Sequence, residues 1–175
     1  HYLILILVSI VLTVMVTPVE AKYPISVNPF LYSRTNVSIE YKQRRSNILL
    51  KGKQFYDEGR LNQAVQIWEE AIKESKKKGE LHNQALGHNY LSVVYQDLGN
   101  WEAAKKSVNK ALELIQTVDG GLLYAQILNT SGSLQLKTGN HQIALDNWKQ
   151  SEQIYRKFKD DIGIILSQIN QAQAL

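Results

Sequence analysis

A pattern of small and apolar residues recurs along the chain with a period of forty residues. Gly is followed five positions later by Ala in Gly59–Ala64, Gly99–Ala104 and Gly139–Ala144. Other positions also recur at this period. Small residues stand at 52, 92 and 132 (Gly, Ser, Gly) and at 71, 111 and 151 (Ala, Ala, Ser), and apolar residues stand at 68, 108 and 148 (Trp, Val, Trp). Coincidences at one fixed period indicate a repeat architecture.

The spacing inside each unit predicts a pair of helices. Leu61, Val65, Trp68 and Ile72 follow one another at intervals of three and four residues, which places them on one helical stripe. Each recurring glycine is expected to take the left-handed conformation that ends a helix. The small residues at 52, 92 and 132 are expected to let helix backbones approach closely. Since one pair cannot bury its apolar face alone, stacked pairs predict an all-α solenoid with a concave inner face.

Three regions are predicted along the chain. Residues 3–16 form an apolar run that is short for a membrane span and suits a signal peptide over residues 1–21, cleaved before Lys22. The alternative is an uncleaved membrane anchor formed by residues 3–16. Residues 22–43 lack a steady apolar period and are expected to be a linker. Residues 44–175 are expected to form three repeat units and the start of a fourth, so the chain is interpreted as the front of a longer protein.

Composition and motifs give no indication of a catalytic, cofactor or metal site. The chain has no cysteine, which excludes disulfides, thiolate metal sites and a cysteine nucleophile within it. Its net charge of +4 is mild and its charges are interspersed, so no nucleic-acid partner is expected. No phosphate loop, serine elbow or zinc motif occurs, so we expect no catalytic residue, no cofactor and no metal. The histidines at 82, 88 and 141 are interpreted as surface or helix-edge residues, and the tryptophans at 68, 101 and 148 as core.

The repeated pattern of a small residue, an aromatic, Gly and Ala resembles the tetratricopeptide repeat over roughly residues 45–175. The period of forty, longer than the usual thirty-four or so, is similar to the long-helix variety, and Gln135 stands where an aromatic is usual. The phrases GRLNQAVQIW (59–68), GNWEAA (99–104), GNHQIALDNW (139–148) and SQINQAQAL (167–175) also resemble the front of cyanobacterial proteins in which such repeats precede a caspase-like CHAT domain. The catalytic His and Cys of that family lie in its C-terminal part, which has no counterpart in these residues.

The resemblance implies a groove lined by the first helix of each unit. By forty-residue equivalence, the predicted groove residues are Leu49, Lys53 and Tyr56 in the first unit, Asn89, Val93 and Gln96 in the second, and Asn129, Ser133 and Leu136 in the third. The equivalent amides of Asn89 and Asn129 offer donors and an acceptor that suit an extended peptide backbone. Lys106, on a second helix, is expected to lie away from the groove. The alternative for these asparagines is a helix cap or a wet surface.

These observations favour an exported scaffold that binds a protein or peptide partner. One alternative is the regulatory or substrate-recognition arm of a CHAT-type cysteine peptidase, and another is an envelope-assembly adaptor without a catalytic domain. Export implies a periplasmic or extracellular location, and an uncleaved N-terminal segment implies membrane association. Sequence downstream of residue 175 distinguishes the alternatives.

Overall fold

The computed structural model describes residues 47–174, and the predicted signal peptide and linker lie outside the described residues. The described residues form the helices α1 (Asn47–Asp57), α2 (Leu61–Lys78), α3 (Leu81–Asp97), α4 (Trp101–Gln116), α5 (Gly121–Lys137), α6 (His141–Lys157) and α7 (Asp161–Gln173). Consecutive helices pack against one another. The pairs α1–α2, α3–α4 and α5–α6 are the three predicted units, and the all-α solenoid is confirmed.

Glycines in the left-handed conformation end the first helix of each unit. Gly59, Gly99 and Gly139 have φ values of 74°, 70° and 84°, a region that a residue with a Cβ rarely adopts. In each turn the residue after the glycine donates its backbone N–H to a carbonyl in the last turn of the helix. After Gly139, for example, the N–H of Asn140 donates to the carbonyl of Gln135 at 2.8 Å. The predicted role of these glycines is therefore confirmed.

The first helices lie on the inner side of the stack and the second helices on the outer side. Among helices that do not follow one another in the chain, α3 and α5 have the most extensive contact. Both are first helices, so the array curves toward them. The charged residues of α2, α4 and α6 then face mostly outward, while the apolar stripe of each second helix packs against its own first helix.

Tryptophan packing over glycine fixes the distance between the two helices of a unit. Trp68 and Trp148 are 0% and 1% exposed, as expected for core residues. A Cβ added to Gly52 would lie 2.3 Å from Trp68 Nε1, and one added to Gly132 would lie 2.4 Å from Trp148 Nε1. The glycines therefore make room for an indole ring. This corrects the expectation that they allow two helix backbones to approach closely.

The same tryptophans donate hydrogen bonds to the first helix. Trp68 Nε1 donates to the carbonyl of Leu49 at 3.1 Å, and Trp148 Nε1 donates to the carbonyl of Asn129 at 3.2 Å. Both acceptors lie three residues before the glycine. In the second unit the corresponding pair is Ser92 and Val108, both buried. The sizes of the two facing residues therefore change together from unit to unit. Where the second helix has a large residue, the first helix has a small one, and the reverse holds in the second unit.

Trp101 does not belong to the core. Its side chain is 42% exposed at the beginning of α4, although it was predicted to be buried with the other tryptophans. The physical reason is its position in the unit: it stands two residues after the turn glycine, whereas Trp68 and Trp148 stand nine residues after theirs. Position 101 is the first of its helix, where the equivalent residues Leu61 and His141 are half-buried and exposed.

Candidate protein-interaction surfaces

The inner positions predicted to line a groove divide into two sets. Four of them are buried: Leu49 and Asn89 are each 1% exposed, Gln96 is 5% and Val93 is 6% exposed. The other five are half-buried, namely Lys53, Tyr56, Asn129, Ser133 and Leu136. The prediction is corrected for the first set, because side chains enclosed to this degree present no surface to a partner.

Helix α3 is enclosed because its neighbours cover it on several sides. It packs against α2, α4 and α5. Residues 81–96 contain no Asp, Glu, Lys or Arg, so Asp97 at its end is the only charged side chain that this helix holds at the surface. Gln96 Nε2 donates to the carbonyl of Thr130 on α5 at 3.4 Å. The groove that equivalence places over the second unit is therefore filled by contacts between first helices.

The two asparagines that motivated the groove take internal positions. Asn129 Nδ2 donates to the hydroxyl of Tyr155 on α6 at 3.4 Å, and Ser167 of α7 donates to Asn129 Oδ1 at 3.4 Å. Asn129 thus joins three helices. The buried Oδ1 of Asn89 accepts no hydrogen bond from the described residues. Neither the helix-cap nor the wet-surface alternative describes them, because both lie in mid-helix contacts.

Polar side chains at the inner ends of the first helices connect successive units. Tyr56 of α1 donates its hydroxyl proton to Asp97 of α3, and Lys137 Nζ of α5 lies 3.9 Å from Asp97 Oδ1. Burial and the nearby Asp97 carboxylate raise the pKa of Tyr56 far above its usual range, so the phenol stays protonated and acts as a donor. Lys53 forms an ion pair with Asp57 one turn along α1. These contacts stabilise the spacing of the units.

A groove of about 580 Å³ opens instead on the outer side. We call it the outer groove, and it lies between α2, α3 and α4. Its lining residues are Glu69 of α2, His88, Leu91 and Tyr95 of α3, and Ala103, Lys106, Ser107, Asn109, Lys110 and Glu113 of α4. Its volume is in the range of ordinary ligand pockets, about 300–1,000 Å³. Lys106, which was predicted to lie on a second helix away from the inner groove, lines this outer groove.

The rim of the outer groove contains charges of both signs. Tyr95 donates its hydroxyl proton to Glu69 Oε1 at 3.3 Å. Burial, together with this carboxylate, raises the pKa of the Tyr95 phenol. Lys110 Nζ forms an ion pair with Glu113 Oε1 at 2.6 Å. The pairs Tyr95–Glu69 and Lys110–Glu113 thus stand on opposite walls.

His88 is a neutral side chain at the edge of the outer groove. Its loss of contact with water, followed by the nearby positive charge of Lys110, lowers its pKa to about 4, which the carboxylate of Glu113 only partly opposes. Its Nδ1 atom is buried and bonds to no described residue. His88 was predicted to lie at the surface or at a helix edge, and it is half-buried at the edge of the outer groove. Because its pKa is lowered to about 4, the imidazole is uncharged at neutral pH.

The described residues contain no group of three or more His, Asp and Glu side chains arranged to hold a metal ion. Within the same residues, no helix is both long enough and apolar enough to cross a membrane.

The sequence did not predict the outer groove, because the only sequence feature that marks it is a pair of small residues. Ala103 and Ser107 lie one turn apart on α4, and both line the groove. Small residues on a helix usually indicate close packing, so such a pair gives no separate indication of an open surface.

Comparison with known proteins agrees with the repeat. Residues 83–157, which run from α3 to the end of α6, match the family model described as Tetratricopeptide repeat. No curated protein matches the chain. The matched segment comprises the second and third units, where the helix pairs show the forty-residue period. The match and the stacked helix pairs together support a tetratricopeptide-repeat protein.

Proposed function

We propose that this chain is a protein-interaction scaffold whose second helices present the binding surface. The observation that carries the proposal is a constant interior beneath a variable exterior. Ala64, Ala104 and Ala144 occupy the same place in the three units and are each 0% exposed. Two residues further on, at exposed positions of the second helices, the units carry Gln66, Lys106 and Asp146.

Such an arrangement suits recognition because the fold does not depend on the residues that differ. The buried positions hold the helices at fixed spacing, and neighbouring second helices place their outward residues side by side. A partner then contacts residues from more than one unit. Tetratricopeptide repeats typically mediate contacts between proteins, and this supports the assignment to a protein partner. The half-buried inner residues Lys53, Tyr56, Ser133 and Leu136 remain candidates for a second contact surface.

The experiment is capture of a partner by the immobilised chain. The chain is incubated with extract of its source organism, and retained proteins are identified by mass spectrometry. The control is the chain with Trp68→Asp and Trp148→Asp, which places charges in the core and unfolds the array. We expect a small set of proteins retained by the folded chain alone. Retention of the same proteins by both chains, or of none, would refute a scaffold function.

We also propose export, on the basis of the apolar run in residues 3–16 followed by Pro18 and small residues up to Ala21. These residues lie outside the described part of the chain. Cleavage after Ala21 gives a mature protein beginning at Lys22, which N-terminal sequencing of the exported form detects. A mature form that retains residues 3–16 would indicate a membrane anchor instead.

A second candidate function is the recognition arm of a CHAT-type cysteine peptidase. The phrase SQINQAQAL at 167–175, which resembles repeat regions that precede such domains, favours it. Sequencing the gene beyond codon 175 tests it, since this function requires a downstream domain with a paired His and Cys. Further repeats without that pair would favour an envelope-assembly adaptor.

A further inference from the structure

The last helix carries an exposed stripe of apolar residues. Ile162, Ile165 and Ile169 of α7 are exposed, and they follow one another at intervals of three and four residues, which places them on one side of the helix. Ala172 is exposed three residues beyond Ile169. We call these four residues the α7 stripe. It is uncovered because α7 packs mainly against α6, whereas α3 and α5 each pack against three helices of the array.

The α7 stripe differs from the face that a second helix covers in the third unit. The residues equivalent to Ile165 are Ala85 and Ala125, which are both 0% exposed. Ser151 of α6 donates its hydroxyl proton to the carbonyl of Ala125 at 2.8 Å, so a small side chain at this position allows the second helix to pack closely. Ile165 is larger and β-branched. Helix α7 is therefore not shaped to receive a second helix in the way that α5 does.

The α7 stripe is complementary to a second copy of itself. Its residues are spaced three, four and three apart, which is the spacing of positions a and d in a heptad. When two such helices lie antiparallel with Ile165 of one copy opposite Ile169 of the other, Ile162 lies opposite Ala172, so a large side chain meets a small one at each end. Residues 162–174 contain no Asp, Glu, Lys or Arg, so no like charges oppose one another along the paired helices.

We propose that two copies of this chain associate through their α7 stripes, with the two helices antiparallel about a two-fold axis. A two-fold interface uses the same surface of both copies, which a self-complementary stripe supplies. The antiparallel direction keeps the exposed carboxylates of Asp161 at opposite ends, whereas a parallel pair would bring them together. Because α7 has 13 residues, the pair covers on the order of 1,000 Å² in all, the lower limit for a specific interface. The dimer is therefore weak, with a dissociation constant in the micromolar range.

The dimer goes beyond the scaffold function and does not depend on it. The second helices that present the proposed binding surface do not carry the α7 stripe, so each copy keeps its own outer surface. Two surfaces joined in one particle bind a partner that offers two sites more tightly than one surface does, because the second contact is made at a high effective concentration.

The test is the molar mass of the whole chain in solution, measured by sedimentation equilibrium at a series of concentrations. We expect the mass to rise from that of one copy toward that of two through the micromolar range. Ile165→Lys places a charge near the centre of the interface in both copies and should raise the dissociation constant about tenfold or more. Circular dichroism verifies that each variant keeps its helical content.

Ile143→Lys is the matched control for this substitution. Ile143 is 51% exposed, close to the 54% of Ile165, and lies on α6 outside the α7 stripe. The control variant removes an equally exposed isoleucine and adds the same charge, so it should dimerise like the unaltered chain.

A mixture of two variants tests the antiparallel direction. In an antiparallel pair, position 165 of one copy lies opposite position 169 of the other. A chain with Ile165→Lys mixed with a chain with Ile169→Glu therefore places the new lysine opposite the new glutamate and retains one pair of isoleucines. We expect the mixture to associate several-fold more tightly than either variant does alone.

Three results would overturn the proposal. The first is a chain that keeps the mass of one copy up to millimolar concentration. The second is equal association of the Ile165→Lys and Ile143→Lys variants, which would place the contact outside the α7 stripe. The third is a mixture of the Ile165→Lys and Ile169→Glu chains that associates no more tightly than its components, which would exclude the antiparallel pair.

Discussion

The pairing of Gly132 with Trp148 predicts a strong energetic coupling between the two helices of the third unit. Replacing both with the residues of the second unit, as Gly132→Ser and Trp148→Val, should cost much less than the sum of the two single changes. The second unit already contains this pair as Ser92 and Val108, both buried. The prediction concerns the free energy of unfolding of the whole chain.

The magnitudes follow from the contacts. In Gly132→Ser the new Cβ would lie 2.4 Å from Trp148 Nε1, so the indole must move. That movement forfeits its hydrogen bond to the Asn129 carbonyl, worth about 0.5–1.5 kcal/mol, and strains the packing by about 1–3 kcal/mol. The better helix propensity of Ser returns about 0.5 kcal/mol. Trp148→Val alone removes a buried ring and should cost about 2–4 kcal/mol.

In the double variant the new side chain at 132 occupies part of the space that the ring has left. We therefore expect the double change to be less destabilising than the sum of the single changes by at least about 1.5 kcal/mol. Urea unfolding followed by circular dichroism measures all four proteins of the cycle. Ser92→Ala serves as the control and should cost less than about 1 kcal/mol. Additivity of the two changes within about 0.5 kcal/mol would refute the size-compensation argument.

Further predictions concern the buried polar groups. Because the folded-state pKa of His88 is lowered to about 4, the unfolded chain binds its proton first as pH falls from about 6.5, and this site should cost about 1–2 kcal/mol of stability near pH 4 after allowance for solvent screening. The Tm of the His88→Gln variant should therefore fall less between pH 7 and pH 4.5 than the Tm of the unaltered chain. Equal decreases in Tm would contradict the lowered pKa of His88. Asn89→Leu removes a buried acceptor that bonds to none of the described residues, so it should leave Tm unchanged or raise it. A drop of several degrees would show that the amide is satisfied. Asn129→Leu breaks the contact with Tyr155 and should cost about 1–2 kcal/mol, so an unchanged melting curve would exclude a stabilising role.

The forty-residue period was sufficient to predict the fold. Glycine positions such as Gly99 determined the turns, and stripes such as that of Trp68 determined which face each second helix buries. These features are local, because a left-handed turn and a helical stripe each depend on a few neighbouring residues. The contact of Trp148 with Gly132 is not local, and size covariation between them is visible only when units are compared.

The candidate site was less predictable because exposure depends on the neighbours of a helix. Equivalence between units correctly assigned Asn89 and Asn129 to the same position, yet Asn89 is 1% exposed and Asn129 is half-buried. The difference arises from how closely the adjacent first helices approach. The outer groove depends on the small residues at 103 and 107. Large buried residues give a recognisable pattern in a sequence, whereas small residues beside an open groove do not.

A signal for this enclosure is nevertheless present in the distribution of charge. Residues 81–96 and 121–136, which form most of α3 and α5, contain no Asp, Glu, Lys or Arg, whereas every second helix contains both signs. Charged residues are almost never fully buried unless they are paired, so a helix without them is free to be covered on all sides. Helix α1 carries Lys51 and Lys53 and still buries Leu49. The charge-free α5, in turn, leaves Asn129, Ser133 and Leu136 half-buried. A lack of charge therefore allows a first helix to be covered but does not require it. The second helices, which keep exposed charged side chains, are the better place to search for a binding surface.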